Sequence, residues 1–171
     1  MKYAEILLLA ALASPAAADV RASGPAGFEV VRTAKVAAAP AQVWRTLVAP
    51  SHWWDGQHSY SGDARNLTLV PSAGGCFCER VPKTGATIAH GHVVFAQPGA
   101  LLRLSAALGP LQAEAVTGTL TWALKAVEGG TEITQTYVVG GYVRSGAERL
   151  AAPVDMVMSI QFDRLVAATQ K

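Results

Sequence analysis

Gly118–Val139, GTLTWALKAVEGGTEITQTYVV, decides the fold. Leu120, Trp122 and Leu124 alternate with Thr119, Thr121 and Ala123, and Gly129-Gly130 separates this run from a second one rich in β-branched residues. The pattern predicts an antiparallel hairpin with one dry face and one wetter face. A dry sheet face has to be covered by another layer. The cover is found after Gly140-Gly141, where the period changes and Val154, Val157, Met158, Gln161, Phe162 and Leu165 recur at helical spacing within Ala147–Thr169.

Working outward from the hairpin, turn signals at Pro71, Gly74-Gly75, Pro82, Pro98-Gly99 and Gly109-Pro110 divide the chain into further strands. These are expected at Asn66–Val70, Cys76–Val81, Ile88–Gln97, Leu101–Ala106, Ala113–Val127 and Thr131–Gly140. Phe28–Val36 is an alternating, β-branched first strand. Pro40 then suits an opening helical turn, and Ala41–Val48 continues it as a short helix that Pro50 stops. The fold class is α+β: a curved antiparallel sheet of six to seven strands gripping a long C-terminal helix, with a short helix after the first strand. A bent sheet cannot touch a straight helix along its whole length, so the arrangement predicts a gap between them.

The amino terminus, MKYAEILLLAALASPAAADV, combines Lys2, an apolar run from Ile6 to Ala13, Pro15 and small residues before Asp19. It reads as a signal peptide over residues 1–18, which makes the expected location periplasmic or secreted. The apolar run is too short for a membrane-spanning helix, which needs about 20 residues. No stable membrane insertion is expected after cleavage. Residues 19–27 read as a flexible leader and 28–171 as one domain, of a size that supports a single core. The net charge of +2 is scattered and builds no basic stripe, which argues against a nucleic-acid partner. With 51% hydrophobic and 15% charged residues, the buried surface is large enough for some of it to line a cavity.

The stretches AAAPAQVWRTLV, HWW, PSAGGCFCE, the hairpin and the terminal helix together resemble the START-like, or SRPBCC, helix-grip superfamily. The similarity runs from about Phe28 to the C-terminus, nearest to the branch of heat-shock-protein ATPase activator homologues and polyketide-cyclase-like proteins. It implies a hydrophobic cavity for lipids, polyketides, quinones or similar molecules. It does not choose among the superfamily's carriers, cyclases and co-chaperones. No Gly-x-x-x-x-Gly-Lys-Ser/Thr loop is present, so the chain encodes no ATPase of that kind.

The expected function is binding of a small hydrophobic molecule, lipid-like, polyketide-like or aromatic, between sheet and helix. Phe95, Leu120, Trp122, Tyr137, Met158 and Phe162 are expected as its apolar wall, with Trp54, His90 and Gln161 as polar handles, unless Gln161 instead satisfies a buried hydrogen bond, which is the safer reading of that residue. No cofactor is expected. The alternative is a cyclase- or dehydratase-like enzyme with Glu79, His90 or Asp55 as acid and base. A third reading is an adaptor that buries an apolar groove against a partner protein. Glu79 belongs either to the cavity face, among apolar walls, or to the outer face as a solvated charge; glutamate's rarity in cores favours the outer face. His52, Trp53, Trp54, Asp55, His58 and Tyr60 crowd into one aromatic loop, which forms either a cavity mouth or a plug in which Trp53 and Trp54 close one end of the sheet and the histidines face water. Cys76 and Cys78 lie on one face of a regular strand, roughly 6.5–7 Å apart, the far edge of disulfide reach. Packed thiols are favoured over a disulfide that needs a distorted backbone. A zinc site completed by His90 and His92 is the weakest of the three, and no metal is expected.

Overall fold

The computed structural model describes residues 19–170. The stretch read as a signal peptide lies outside the described residues. Ten elements follow in the order β1 (Asp19–Gly24), β2 (Gly27–Val36), α1 (Pro40–Leu47), β3 (Leu67–Leu69), β4 (Cys76–Val81), β5 (Ala86–Gln97), β6 (Leu101–Ser105), β7 (Ala115–Val127), β8 (Gly130–Tyr142) and α2 (Glu148–Thr169). Short 3-10 turns occupy Pro50–His52, Gly56–His58, Ala64–Asn66 and Gly109–Ala113.

All eight strands form one antiparallel sheet in the order β1-β2-β8-β7-β6-β5-β4-β3. The founding hairpin is its centre: Leu120 pairs with Tyr137, Trp122 with Gln135 and Leu124 with Ile133. All six of these side chains are buried. Phe28, Val30 and Arg32 of β2 continue the inner face on one side, and Leu102 and Leu104 of β6 on the other. The helix α2 lies across this face, burying Met158, Gln161, Phe162 and Leu165.

Two expectations are corrected here. Residues 19–24 are not a flexible leader but an eighth, edge strand, hydrogen-bonded antiparallel to β2. Their composition is weakly β-forming, and the open edge of β2 supplies the backbone partners that the composition does not reveal. Cys76 and Cys78 are not packed thiols but a disulfide. Their Cα atoms stand 5.4 Å apart, well inside the spacing of a regular strand and within disulfide reach. The register between β4 and β5 slips beside Phe77 and Cys78, which marks where the regular ladder gives way.

Candidate functional site

Two bulges in β5 decide what the site contains. Against β4, Phe77 pairs with Gly91 and Cys78 with Ala89, so His90 is an extra residue on β5. Against β6, Val93 pairs with Leu104 and Phe95 with Arg103, so Val94 is a second extra residue. Each insertion reverses the in–out alternation beyond it. The first turns His90 into the interior beside Gly91 while His92 stays exposed. Gly91 permits this bend, because a Cβ there would sit 2.5 Å from that of Ala106. The second bulge turns Phe95 out, where it is 45% exposed, so Phe95 does not belong to the apolar wall.

His90 Nε2 lies 2.9 Å from Glu79 Oε2, and both residues are buried. Glu79 faces the interior, contrary to the expectation that it would be solvated. Its carboxylate also accepts the backbone N–H groups of Tyr60 and Ser61. The population rule against buried glutamate yields here because the loop supplies these donors. Burial alone would raise the Glu79 carboxyl, but the hydrogen bonds from Ser61, Tyr60 and His90 outweigh it and hold it below the ordinary range. Burial pushes the His90 imidazole below its ordinary value, against the upward pull of Glu79. The pair is therefore a neutral imidazole donating Nε2–H to a carboxylate, which leaves Nδ1 as an acceptor.

The loop that clamps Glu79 is itself held by α2. Gln161 accepts from Asp55 N at 2.8 Å and its amide nitrogen lies 3.3 Å from His58 Nδ1. Arg164 donates to the Trp53 carbonyl. Trp53 and Trp54 are both buried, with their indole N–H groups on the carbonyls of Leu47 and His58. An aromatic chain runs from Trp122 through Trp53, Trp54 and Phe77 to His90 and Tyr60, with ring centroids 5.0–6.5 Å apart. Such edge-on and tilted contacts are the favoured ones.

A pocket of about 590 Å³ opens between this loop, the 3-10 turn Gly109–Ala113 and the first half of α2. The helix contributes Leu150, Pro153, Val154, Val157 and Met158, and the turn with its approach contributes Leu108, Pro110 and Leu111. Trp54, Tyr60, His90 and Tyr137 form further walls, with Gln57, His58 and Ser59 on the loop side. Tyr137 is saturated: its hydroxyl donates to the Ala106 carbonyl and accepts from Leu108 N, and burial pushes its pKa up to about 12. It presents ring surface rather than a free hydroxyl.

Of the predicted site residues, the structure brings Trp54, His90, Tyr137 and Met158 to the pocket, with Glu79 behind His90. Leu120, Trp122 and Phe162 instead pack in the solid core; Trp122 spends its N–H on Gln135 at 2.8 Å. Gln161 is spent on the loop, so it is not a free handle. Asp55 caps the turn at Gln57 and lies 3.3 Å from His58, apart from the Glu79–His90 pair. Tyr60 belongs to the aromatic loop that the sequence offers as a cavity mouth, whereas Leu111 lies in a turn outside any periodic pattern and is not legible there. Val154 and Val157 stand on the predicted helical stripe and were the legible part of the lining. Among the described residues no group of three or more His, Cys, Asp or Glu is placed to hold a metal, and no helix is long and apolar enough to cross a membrane.

This is a helix-grip-like α+β protein with a pocket at one end of the grip. No family model and no curated protein matches the chain. Solved structures do. An uncharacterized protein from Rhizobium leguminosarum is 25% identical with a TM-score of 0.57, over 82% of this chain and 93% of that one. A protein from Chromobacterium violaceum is 12% identical with a TM-score of 0.58, over 84% and 97%. A conserved protein of unknown function from Enterococcus faecalis is 12% identical with a TM-score of 0.59, over 91% and 77%.

Proposed function

We propose that the protein binds a small hydrophobic molecule, as proteins of the START-like type do, in the pocket between α2, the Gly109–Ala113 turn and the aromatic loop. The observation that carries this reading is a pocket of about 590 Å³ walled largely by Leu, Val, Pro, Met and aromatic side chains, within the size range of small-molecule sites. Export to an oxidising compartment is part of the same proposal. It is supported by the signal-like leader and by the disulfide, which persists in such compartments. The test is binding of N-phenyl-1-naphthylamine, a neutral fluorescent probe. The expected result is one equivalent bound, with methyl NMR shifts concentrated at Leu111, Val154 and Met158. Absence of saturable binding, or shifts confined to the outer sheet face, would overturn it. Edman sequencing of the mature chain recovered from its own cells should begin at Asp19.

The acid–base alternative is favoured by one observation: two of its three candidate residues, Glu79 and His90, converge at the pocket wall. In that reading His90 Nδ1 removes a proton from a carbon next to a carbonyl. The enolate keeps the electron pair, and the imidazolium is stabilised by Glu79 until it returns the proton. Solvent deuterium incorporation into bound 2-tetralone, lost in His90→Gln, is the expected signature. Incorporation at the uncatalysed rate leaves the binding reading alone.

A further inference from the structure

We infer that the pocket selects uncharged, largely apolar molecules carrying one hydroxyl donor, a phenol or an enol, and that His90 Nδ1 is the atom that reads that hydroxyl. The inference rests on the binding reading above and names its ligand class.

Three observations lead to it. The first is the fixed direction of the imidazole. Glu79 Oε2 receives His90 Nε2 and Tyr60 N, and Oε1 receives Ser61 N. A carboxylate that already accepts on both oxygens makes Nε2 the protonated nitrogen, so Nδ1 carries the lone pair. Second, Nδ1 makes no hydrogen bond within the described residues, yet it is not sealed off. The only buried side-chain nitrogen or oxygen without a partner among them is Arg32 Nε. His90 Nδ1 therefore reaches open space, and the open space that His90 borders is the pocket.

The third observation concerns charge. Among the described residues no Lys, Arg, Asp or Glu lines the pocket. A carboxylate or phosphate ligand would lose its water with no cation to replace it, and it would approach the fixed negative charge of Glu79 behind His90. An ammonium ligand would likewise find no carboxylate on the wall. The other polar groups on the wall are shallower or already engaged, and the Gln57 side chain sits on the exposed side of the loop. The hydroxyls of Tyr137, Tyr60 and Ser59 donate to the carbonyls of Ala106, Gly109 and Gly56. His58 Nδ1 faces Gln161 and Asp55, and its side chain is 29% exposed against 7% for His90. The deepest unspent polar atom is thus a single acceptor in apolar surroundings, where a missing donor leaves it unsatisfied and a matching donor is strongly preferred.

The test is a calorimetric series on the purified protein with 2-naphthol, 2-methoxynaphthalene and 2-naphthoate, which share one ring system. The naphthol should bind at least about tenfold more tightly than its methyl ether, with the carboxylate weakest. In His90→Phe the naphthol and the ether should bind equally, while His90→Gln, which restores an acceptor, should regain part of the preference. Equal binding of naphthol and ether to the unaltered protein, or tightest binding of the carboxylate, would overturn the inference and leave the pocket reading standing. Failure of all three to bind would remove the pocket reading as well. Should His90→Phe fail to fold, the unaltered protein and His90→Gln still decide the matter.

Discussion

At the residue scale the Glu79–His90 pair controls both the pocket's polarity and the loop's position. Burial holds His90, and the hydrogen bonds it receives hold Glu79, below their ordinary pKa values, so the unfolded chain binds more protons than the native one on the acid side. The sign follows: native stability is fully present above the ordinary histidine range and is lost as the pH falls, first toward the folded His90 value and then toward the folded Glu79 value. NMR titration of the His90 Cε1 proton should give a midpoint below 6.5. Glu79→Gln should lower that midpoint further, because Glu79 is what pulls it upward; an unchanged or raised midpoint would show that the two are not coupled. Tyr137→Phe tests a different saturation. It strands Leu108 N and takes the Tyr137 donor from the Ala106 carbonyl at the pocket wall, at a cost of about 1–3 kcal/mol in chemical denaturation. Glu79 and His90 are candidates in the sequence on their chemistry, but their pairing is not legible there. The donors that make a buried Glu79 tolerable are backbone groups of Tyr60 and Ser61, invisible in a pattern of side chains.

At the element scale, strands with a strict period were legible and departures from the period were not. The β7–β8 hairpin, the short α1 and the long α2 could be read because each repeats its own period over many residues. The two extra residues in β5 left no such mark, since nothing in Ile88–Gln97 shows where an extra residue flips the faces, and Phe95 falls outside as a result. The edge strand β1 was missed for the opposite reason, since pairing rather than composition makes it a strand. The disulfide belongs to this scale because it fixes the geometry of β4 rather than joining distant parts of the chain. Its ring spans a sequence separation of only 2, so it removes little freedom from the unfolded state. A loop that short implies about 1.5 kcal/mol. Reduction, or Cys76→Ser with Cys78→Ser, should therefore lower Tm by roughly 3–6 °C and leave the protein folded. Thiol counting in denaturant without reductant should find none free. A cooperative collapse on reduction would mean that the bond holds the sheet rather than one strand.

For the whole molecule, the question is why a sheet and a helix that pack so closely at one end leave a pocket at the other. Along α2 the division is visible: Phe162, Leu165 and Thr169 are buried against the core, while Leu150, Pro153, Val154 and Val157 border the pocket. Pro153, inside the helix, has no N–H to give to the preceding turn, so the pocket-facing half is the part with the weaker backbone ladder. Across from it the cover is the Gly109–Ala113 turn rather than another strand, and Trp53 and Trp54 fill the space beneath the loop. The gap is therefore built into the architecture and is not a packing fault, and this separates two substitutions on one helix. Phe162→Ala removes a fully buried ring from the packed half and should cost about 3–5 kcal/mol. Binding of a neutral aromatic probe by the fraction that stays folded should be nearly unchanged, since Phe162 is not part of the lining. Val157→Trp places an indole in space that is already open, so stability should move by only about 1 kcal/mol. Probe binding should then fall by at least about tenfold, because the added ring occupies the ligand's volume. Denaturation and probe titration of the two variants, read side by side, check the division. If Val157→Trp is as destabilising as Phe162→Ala, the two halves of α2 are packed alike and the grip has no room for a ligand.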